Sequence, residues 1–317
     1  MTTAKLDHVT EVAQAALRAF DDLNGPQPGF RPAHAKGILV AGQFTPATDA
    51  TSLSRAPHLQ RPSTPVTVRF SDFAGIPTIP DNHHEASPRG IAIRFNLADH
   101  AHTDIIGHSV NGFPVRTAEE FVEMLRAIYA SGAPNVAKPS PIEQFLASHP
   151  AALEFVQAPK PMAVSFVKES FFAVSAYRFI AADGVARYGR YRIQPDGGNE
   201  YLSPSAEAGA APDFLFDEIK ARLTKGPVKM QIVVQLAAAN DVVNDSTVHW
   251  PKDRAEVFFG AIELTSVMPN NDAEQRQIIF DPIPRVDGIE PSDDPLLEPR
   301  ATTYLMSGRR RRASAPR

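Results

Sequence analysis

The sequence predicts an α+β domain built around a mostly antiparallel β-sheet or barrel of about eight strands, with helices packed around it. Three observations carry this reading. About eight short segments have the apolar alternation and turn-residue borders of strands. No repeat period and no linker divides their series. The chain holds 29 prolines in 317 residues, well above the usual ~5%, which implies extended loops rather than a helical bundle. Length alone permits one large barrel or two domains.

Residues 3 to 22 place Leu6, Val9, Val12, Ala16, Leu17 and Phe20 at helical spacing, ahead of the breaker NGPQPG. Strands are expected over 38 to 46, 65 to 72, 90 to 97 and 104 to 115. Thr117 and Glu120 make a capping box before a stripe of Phe121, Met124, Leu125, Ile128 and Tyr129, and Ser140, Pro141 and Glu143 repeat that start signal. ESFFAVSAYRFIAADGVARYGRYRIQP reads as two long strands joined at Asp183-Gly184. A helix around 212 to 223 and strands over 228 to 237 and 255 to 267 complete the series.

Hydrophobic residues make up 43% and charged residues 21%, and the net charge is −4, so no bulk attraction to nucleic acid or anionic membrane follows. The run RRRR at 309 to 312 lacks the aromatic interleaving of a nucleic-acid site. The absence of cysteine excludes disulfides, thiolate nucleophiles and thiolate-held metals. MTTAKLDHVTEVAQ has no apolar signal core, and no apolar run reaches membrane-spanning length, so a cytoplasmic location is expected.

Near the end, RATTYLMSGRRRR sets Tyr304 four residues after Arg300, with Gly308 and Arg311 close to the same helical face. Pro299 suits the first helical position. The arrangement reads either as a solvated basic helix end or as a phenol whose ionised form, a strong metal donor, is favoured by the neighbouring guanidinium. Alternation in PVTVRFSD sends Val66, Val68 and Phe70 to one side and Thr67, Arg69 and Ser71 to the other, so Arg69 and Ser71 are able to serve one polar cavity. His34 stands just before a glycine-hinged strand, as a structural residue or a general base. His83 and His84 point opposite ways on an extended chain and do not make a metal site.

At these residues the chain resembles the haem catalases, and more closely their short catalase-related peroxidase branch. HAKG, VTVRFS, SPRGIAIRF, ESFFAVSAYRFIAADG, VKMQIVVQL and DGIEPSDDPLLEPRATTY follow in that family's order from about residue 30 to 312. The resemblance implies a catalase-like eight-stranded antiparallel barrel lacking the C-terminal helical domain, with an N-terminal helix and arm at 1–29, a haem-binding domain at 30–312 and a disordered tail at 313–317. It implies haem b as cofactor, Tyr304 as iron ligand and Arg300 as the cation that stabilises its phenolate. Arg31, Arg69 and Arg311 match propionate-binding arginines, His34 the distal catalytic histidine, and Ser71 the hydroxyl that orients it. Phe113 and Phe121 match aromatic residues of the pocket.

One segment departs from the family. GHSVNGF replaces a GNN motif, and a direct count puts His108 where the distal asparagine stands, with Asn111 nearby. Alternation puts Ser109 and Asn111 on one side and His108 on the other, unless a bulge intervenes. The expected activity is a peroxidase that uses hydrogen peroxide or organic hydroperoxides with an organic electron donor, a true catalase being the alternative. The chain ends soon after the tyrosine helix, which implies a more open haem edge and an assembly as small as a homodimer; the near-neutral charge and the lack of a spanning apolar run imply no nucleic-acid or membrane partner.

Overall fold

In the computed structural model, which describes residues 3–98 and 101–314, the chain opens with helix α1 (Thr3–Asn24). Pro26, Pro28 and Pro32, with Gly25 and Gly29 at positive φ, turn it into β1 (Gly37–Pro46). A short α2 (Ala50–Leu53) precedes β2 (Thr64–Ser71), β3 (Gly90–Asn96) and β4 (His102–His108). β1 to β4 pair in sequence order, each antiparallel to the last. Helix α3 (Ala118–Ser131) begins at its capping box, where Glu120 N donates to Thr117 Oγ1 at 3.2 Å and Thr117 N to Glu120 Oε2 at 3.1 Å. Two helices follow, α4 (Pro141–Ser148) and α5 (Pro150–Gln157), because Pro150 cannot continue the first and starts the second.

The strand expected ahead of the Asp183-Gly184 turn is divided into β5 (Phe171–Phe172) and β6 (Tyr177–Ile180). Both pair with β7 (Ala186–Pro195), but Phe172 to Tyr177 is five steps while their partners Arg192 to Gly189 are three apart. The surplus bulges out of the ladder, and Ser175 there meets Ser246. The turn itself forms as expected, with Val185 N donating to Asp183 Oδ1 at 3.0 Å and Gly184 at φ 86°. After α6 (Pro204–Ala208) and α7 (Phe214–Lys225) come β8 (Val228–Leu236), β9 (Glu256–Val267), α8 (Asn271–Gln277), β10 (Ile289–Pro291) and α9 (Leu297–Ala313).

Pairing of β7 with β8 closes β1, β2, β3, β4, β5, β7, β8 and β9 into an eight-stranded antiparallel barrel. β6 and β10 extend it at one edge. Alternate residues, among them Val66, Val68, Phe70, Ile91, Ile93 and Phe95, fill the barrel core. α1 packs on α3 and α9, burying Val9, Val12, Ala13, Ala16, Leu17 and Phe20. A His8–Glu119 hydrogen bond at 2.7 Å and an Asp21–Arg310 ion pair at 2.6 Å reach across the same seams. Both are partly exposed and contribute at most about 1 kcal/mol each, so the apolar stripe holds α1 in place. Ala313 ends α9 and Ser314 caps it, so the start of the expected tail is ordered, while 315–317 lie outside the described residues. No described helix is long and apolar enough to cross a membrane.

His58 lies buried in the barrel among Phe95, Phe259 and Phe44, at ring separations of 4.6, 5.7 and 6.0 Å. Neither ring nitrogen has a hydrogen-bond partner among the described residues, and burial pushes its pKa down from 6.5 to about 3. The native state therefore binds fewer protons than the unfolded chain between those values, and stability falls as pH drops through that window. His58→Phe is expected to raise stability at pH 7 by about 1–3 kcal/mol through removal of two unsatisfied nitrogens. The gain should grow by about 2 kcal/mol at pH 5. Urea unfolding of both proteins at the two pH values measures this, and parallel pH dependences would contradict it.

Candidate active site

The outer face of β2, β3 and β4, together with α1, α3 and α9, encloses a largely apolar cavity of about 210 Å³. From α9 come Arg300, Tyr304, Ser307 and Arg311, one helical face as the spacing predicts. The helix begins at Leu297, so Pro299 stands third rather than first. It can lie close to Ile279 because residue 308 is glycine; a Cβ there would collide with the Ile279 side chain. Arg300 Nη2 donates to Tyr304 Oη at 3.4 Å, and its guanidinium stands 5.8 Å from the ring centre.

The barrel supplies a second group through strand register. Ser71 pairs with Gly90, and Gly90 with His108, so the three stand abreast on β2, β3 and β4. Laterally paired residues face the same way, and the middle one has no side chain. The His34 ring fills that space: a Cβ on Gly90 would lie 2.7 Å from both His34 Nδ1 and Ser71 Oγ. His34 Nδ1 is 3.1 Å from Ser71 Oγ and also interacts with the Asp72 backbone. Its own backbone is left-handed at φ 55°, held by His34 N donating to Phe73 O at 2.7 Å and by Arg69 Nη2 donating to His34 O at 2.8 Å. Such a conformation costs a non-glycine residue about 1–3 kcal/mol, and persists because these bonds dictate it. Burial, then the charge of Arg69, lowers the His34 pKa to about 3.

His108 resolves the departure at GHSVNGF. β4 stops at His108, and Val110 N folds back to donate to His108 Nδ1 at 3.3 Å. With that nitrogen accepting, the neutral ring carries its proton on Nε2, which is buried with no partner and borders the cavity. Burial, then Arg300, holds the His108 pKa at about 3. Asn111 has turned away: its Oδ1 accepts from Arg192 Nη1 at 2.9 Å and it takes no part in the cavity wall. This corrects both the strand expected to 115 and the inclusion of Asn111 among the site residues. The turn is tight at Gly112, where a Cβ would strike His249.

Three guanidinium groups gather at the α8 end of the cavity. Arg31 donates to Gln275 O and Ile278 O, both at 3.1 Å, Arg69 Nε to Gln275 Oε1 at 3.0 Å, and Arg311 Nη2 to Ile278 O at 2.9 Å. None has a carboxylate within ion-pair distance among the described residues, and Arg311 Nε has no partner. Burial, followed by neighbouring cations, lowers Arg31 well below its ordinary value, Arg69 to about 9 and Arg311 to about 10. Phe113 and Phe121 line the cavity, with ring centres 5.6 Å apart.

Sequence reasoning missed Gly90, whose lack of a side chain admits the His34 ring, and the α1 contribution of Val12, Ala16 and Phe20. The apolar stripe of α1 signalled burial but not what it would cover.

Barrel and cavity together define a β-barrel protein with a largely apolar pocket on the barrel's outer face and a cluster of arginines at one end of it. The sequence model of the catalase family matches residues 20–315. A catalase-related peroxidase of Mycolicibacterium paratuberculosis is 36% identical, over 95% of this chain and 96% of that one. Another of Synechococcus elongatus is 32% identical, over 92% and 86%. A solved fungal catalase superposes with a TM-score of 0.79 at 21% identity, covering 90% of this chain and 60% of that one.

The chain belongs to the catalase family, and membership implies a haem cofactor. The residues present fit it. Three cations without carboxylate partners among the described residues, two of them buried, more than offset the charge of two propionates, and the Arg311 Nε, unpartnered among those residues, is an available donor to one. Tyr304 contributes a phenol to the wall of this largely apolar cavity, in a chain with no cysteine to compete as ligand.

Proposed function

We propose that the protein is a haem peroxidase that reduces organic hydroperoxides or hydrogen peroxide with electrons from an organic donor, and releases oxygen from hydrogen peroxide only weakly. The observation that carries this reading is His108, which puts a second imidazole beside His34 where the family places an amide. The bulk and fixed donor geometry of that ring change the space open to a second hydrogen peroxide. The similarity to catalase-related peroxidases supports the same reading.

Tyr304 would ligate the iron and Arg300 would hold its phenol ionised; Arg31, Arg69 and Arg311 would bind the propionates. With no cysteine to form thioether links, c-type attachment is ruled out, and unmodified haem b is the form this reading takes. Haem supplies the iron at which the O–O bond breaks. His34, with its Nδ1–H turned to Ser71 and the Asp72 backbone, presents Nε2 as a base that takes the proton of the bound hydroperoxide and returns it to the departing oxygen. His108 Nε2–H donates a hydrogen bond to the peroxide. Both rings stay neutral at physiological pH because burial holds their pKa values at about 3. Phe113, Phe121 and α1 exclude water.

Oxygen release and donor oxidation by the haem-loaded protein, measured side by side, test this. Donor oxidation should dominate, and His108→Asn should move the balance toward oxygen release by about tenfold or more, the scale of one hydrogen-bonding group in a buried site. Rapid oxygen release with negligible donor oxidation in the unaltered protein would establish a true catalase instead.

A further inference from the structure

A second cavity, of about 110 Å³, lies between the 26–32 segment and the last turns of α9. That is several times the ~10–15 Å³ that one water needs. Its walls include Asp21, Pro26, Pro28, Phe30, Arg310 and Arg311. Arg311 borders both this cavity and the large one. It is only 3% exposed, its Nη1 donates to Ser307 Oγ at 3.0 Å, and its Nε has no partner. Phe30 remains 44% exposed, although residues of its type are usually buried. Asp21 Oδ2 accepts from Arg310 Nη2 at 2.6 Å, which leaves Oδ1 without a hydrogen bond among the described residues.

The large cavity is a poor entrance for a reductant. Val12, Ala16 and Phe20 of α1 cover one side, and the His34 and His108 rings occupy another part of its wall, the part given to the peroxide in the reading above. The second cavity lies outside this cover yet shares a buried wall with the arginine that faces the propionate end.

We propose that this second cavity docks the reducing co-substrate, a small phenol, an assignment that rests on the peroxidase reading above. An aromatic ring packs against Phe30 and the prolines, and its hydroxyl donates to Asp21 Oδ1. Each phenol gives up one electron across the Arg311 wall and its hydroxyl proton to the Asp21 carboxylate. Two such events complete one turnover: a hydroperoxide and two phenols yield an alcohol, a water and two phenoxyl radicals. The O–O bond breaks, and the two electrons and two protons end in the alcohol and water.

Guaiacol is the probe, with the resting haem-loaded protein, in saturation-transfer NMR and in steady-state turnover. Phe30→Ala removes the ring platform, and Ser314→Trp fills the cavity from its rim without touching the core. Both should weaken guaiacol binding and raise its KM by about fivefold or more. The peroxide-limited rate should stay within about twofold, since neither residue borders the large cavity. Unchanged binding in both variants would overturn the proposal, as would joint loss of guaiacol binding and of the peroxide-limited rate, which would place the donor in the large cavity. If guaiacol binds and both variants weaken it, but the unaltered protein oxidises no donor, the peroxidase reading and the electron-donor role both fall and only a phenol-binding site stands.

Discussion

Tyr304→Phe is expected to fold normally and to lose the high-spin ferric tyrosinate spectrum together with more than about 10³ of peroxide-dependent turnover. The magnitude is the one the proposed ligand role requires, since removing a ligand from a Lewis-acidic metal is an effect of several kcal/mol at about 1.4 kcal/mol per decade. Folding should survive because the ring is retained and the hydroxyl makes one long hydrogen bond, 3.4 Å to Arg300. The Arg300 guanidinium, raised in pKa by Tyr304 and Tyr177 against the opposing effect of burial, would lose one of these partners at a cost of about 1–2 kcal/mol. Absorption and magnetic circular dichroism of the purified variant check the assignment. An unchanged haem spectrum and occupancy would mean that another residue holds the iron.

His34→Asn should retain haem and slow the peroxide-cleaving step by about 10² to 10⁴, the range for a general acid–base group. Asparagine is the informative replacement because position 34 is left-handed, a conformation asparagine tolerates and alanine does not. With asparagine the measured loss reports missing proton transfer rather than a displaced loop. Stopped-flow mixing with hydroperoxide gives the rate, and a variant as fast as the parent would remove His34 from the reaction.

Features governed by local period were legible in the sequence. Helical spacing put Arg300, Tyr304 and Arg311 on one face, and strand alternation put Arg69 and Ser71 on the side away from Val68 and Phe70. Both groupings meet at the cavity. The choice between His108 and Asn111 was not legible, because alternation applies only while the strand lasts, and β4 ends at His108. Past that point the orientation depends on Val110 N, Ser246 O and the Gly112 turn, which are contacts distant in sequence or specific to one backbone geometry. Gly90 was equally silent: its role is to be absent beneath a ring contributed 56 positions earlier, and no local pattern encodes a missing Cβ. The open edge expected from the sequence is covered on one side by α1.

The packing of α1 on α9 has a consequence for the order of assembly. The two helices stand almost at opposite ends of the described chain, and each contributes wall to the same cavity. During synthesis α1 emerges with its apolar stripe bare, and its partner surface on α9 follows only after every barrel strand. Contacts of such long sequence separation close late, because the loop entropy between them must be met first. The barrel strands all precede α9, so the wall that α1 and α9 make together is the part of the cavity whose contacts span the greatest sequence separation. Docking of α1 against α9 is therefore the step that closes the wall on that side of the cavity, and it brings Tyr304 and Arg311 into place at the same moment.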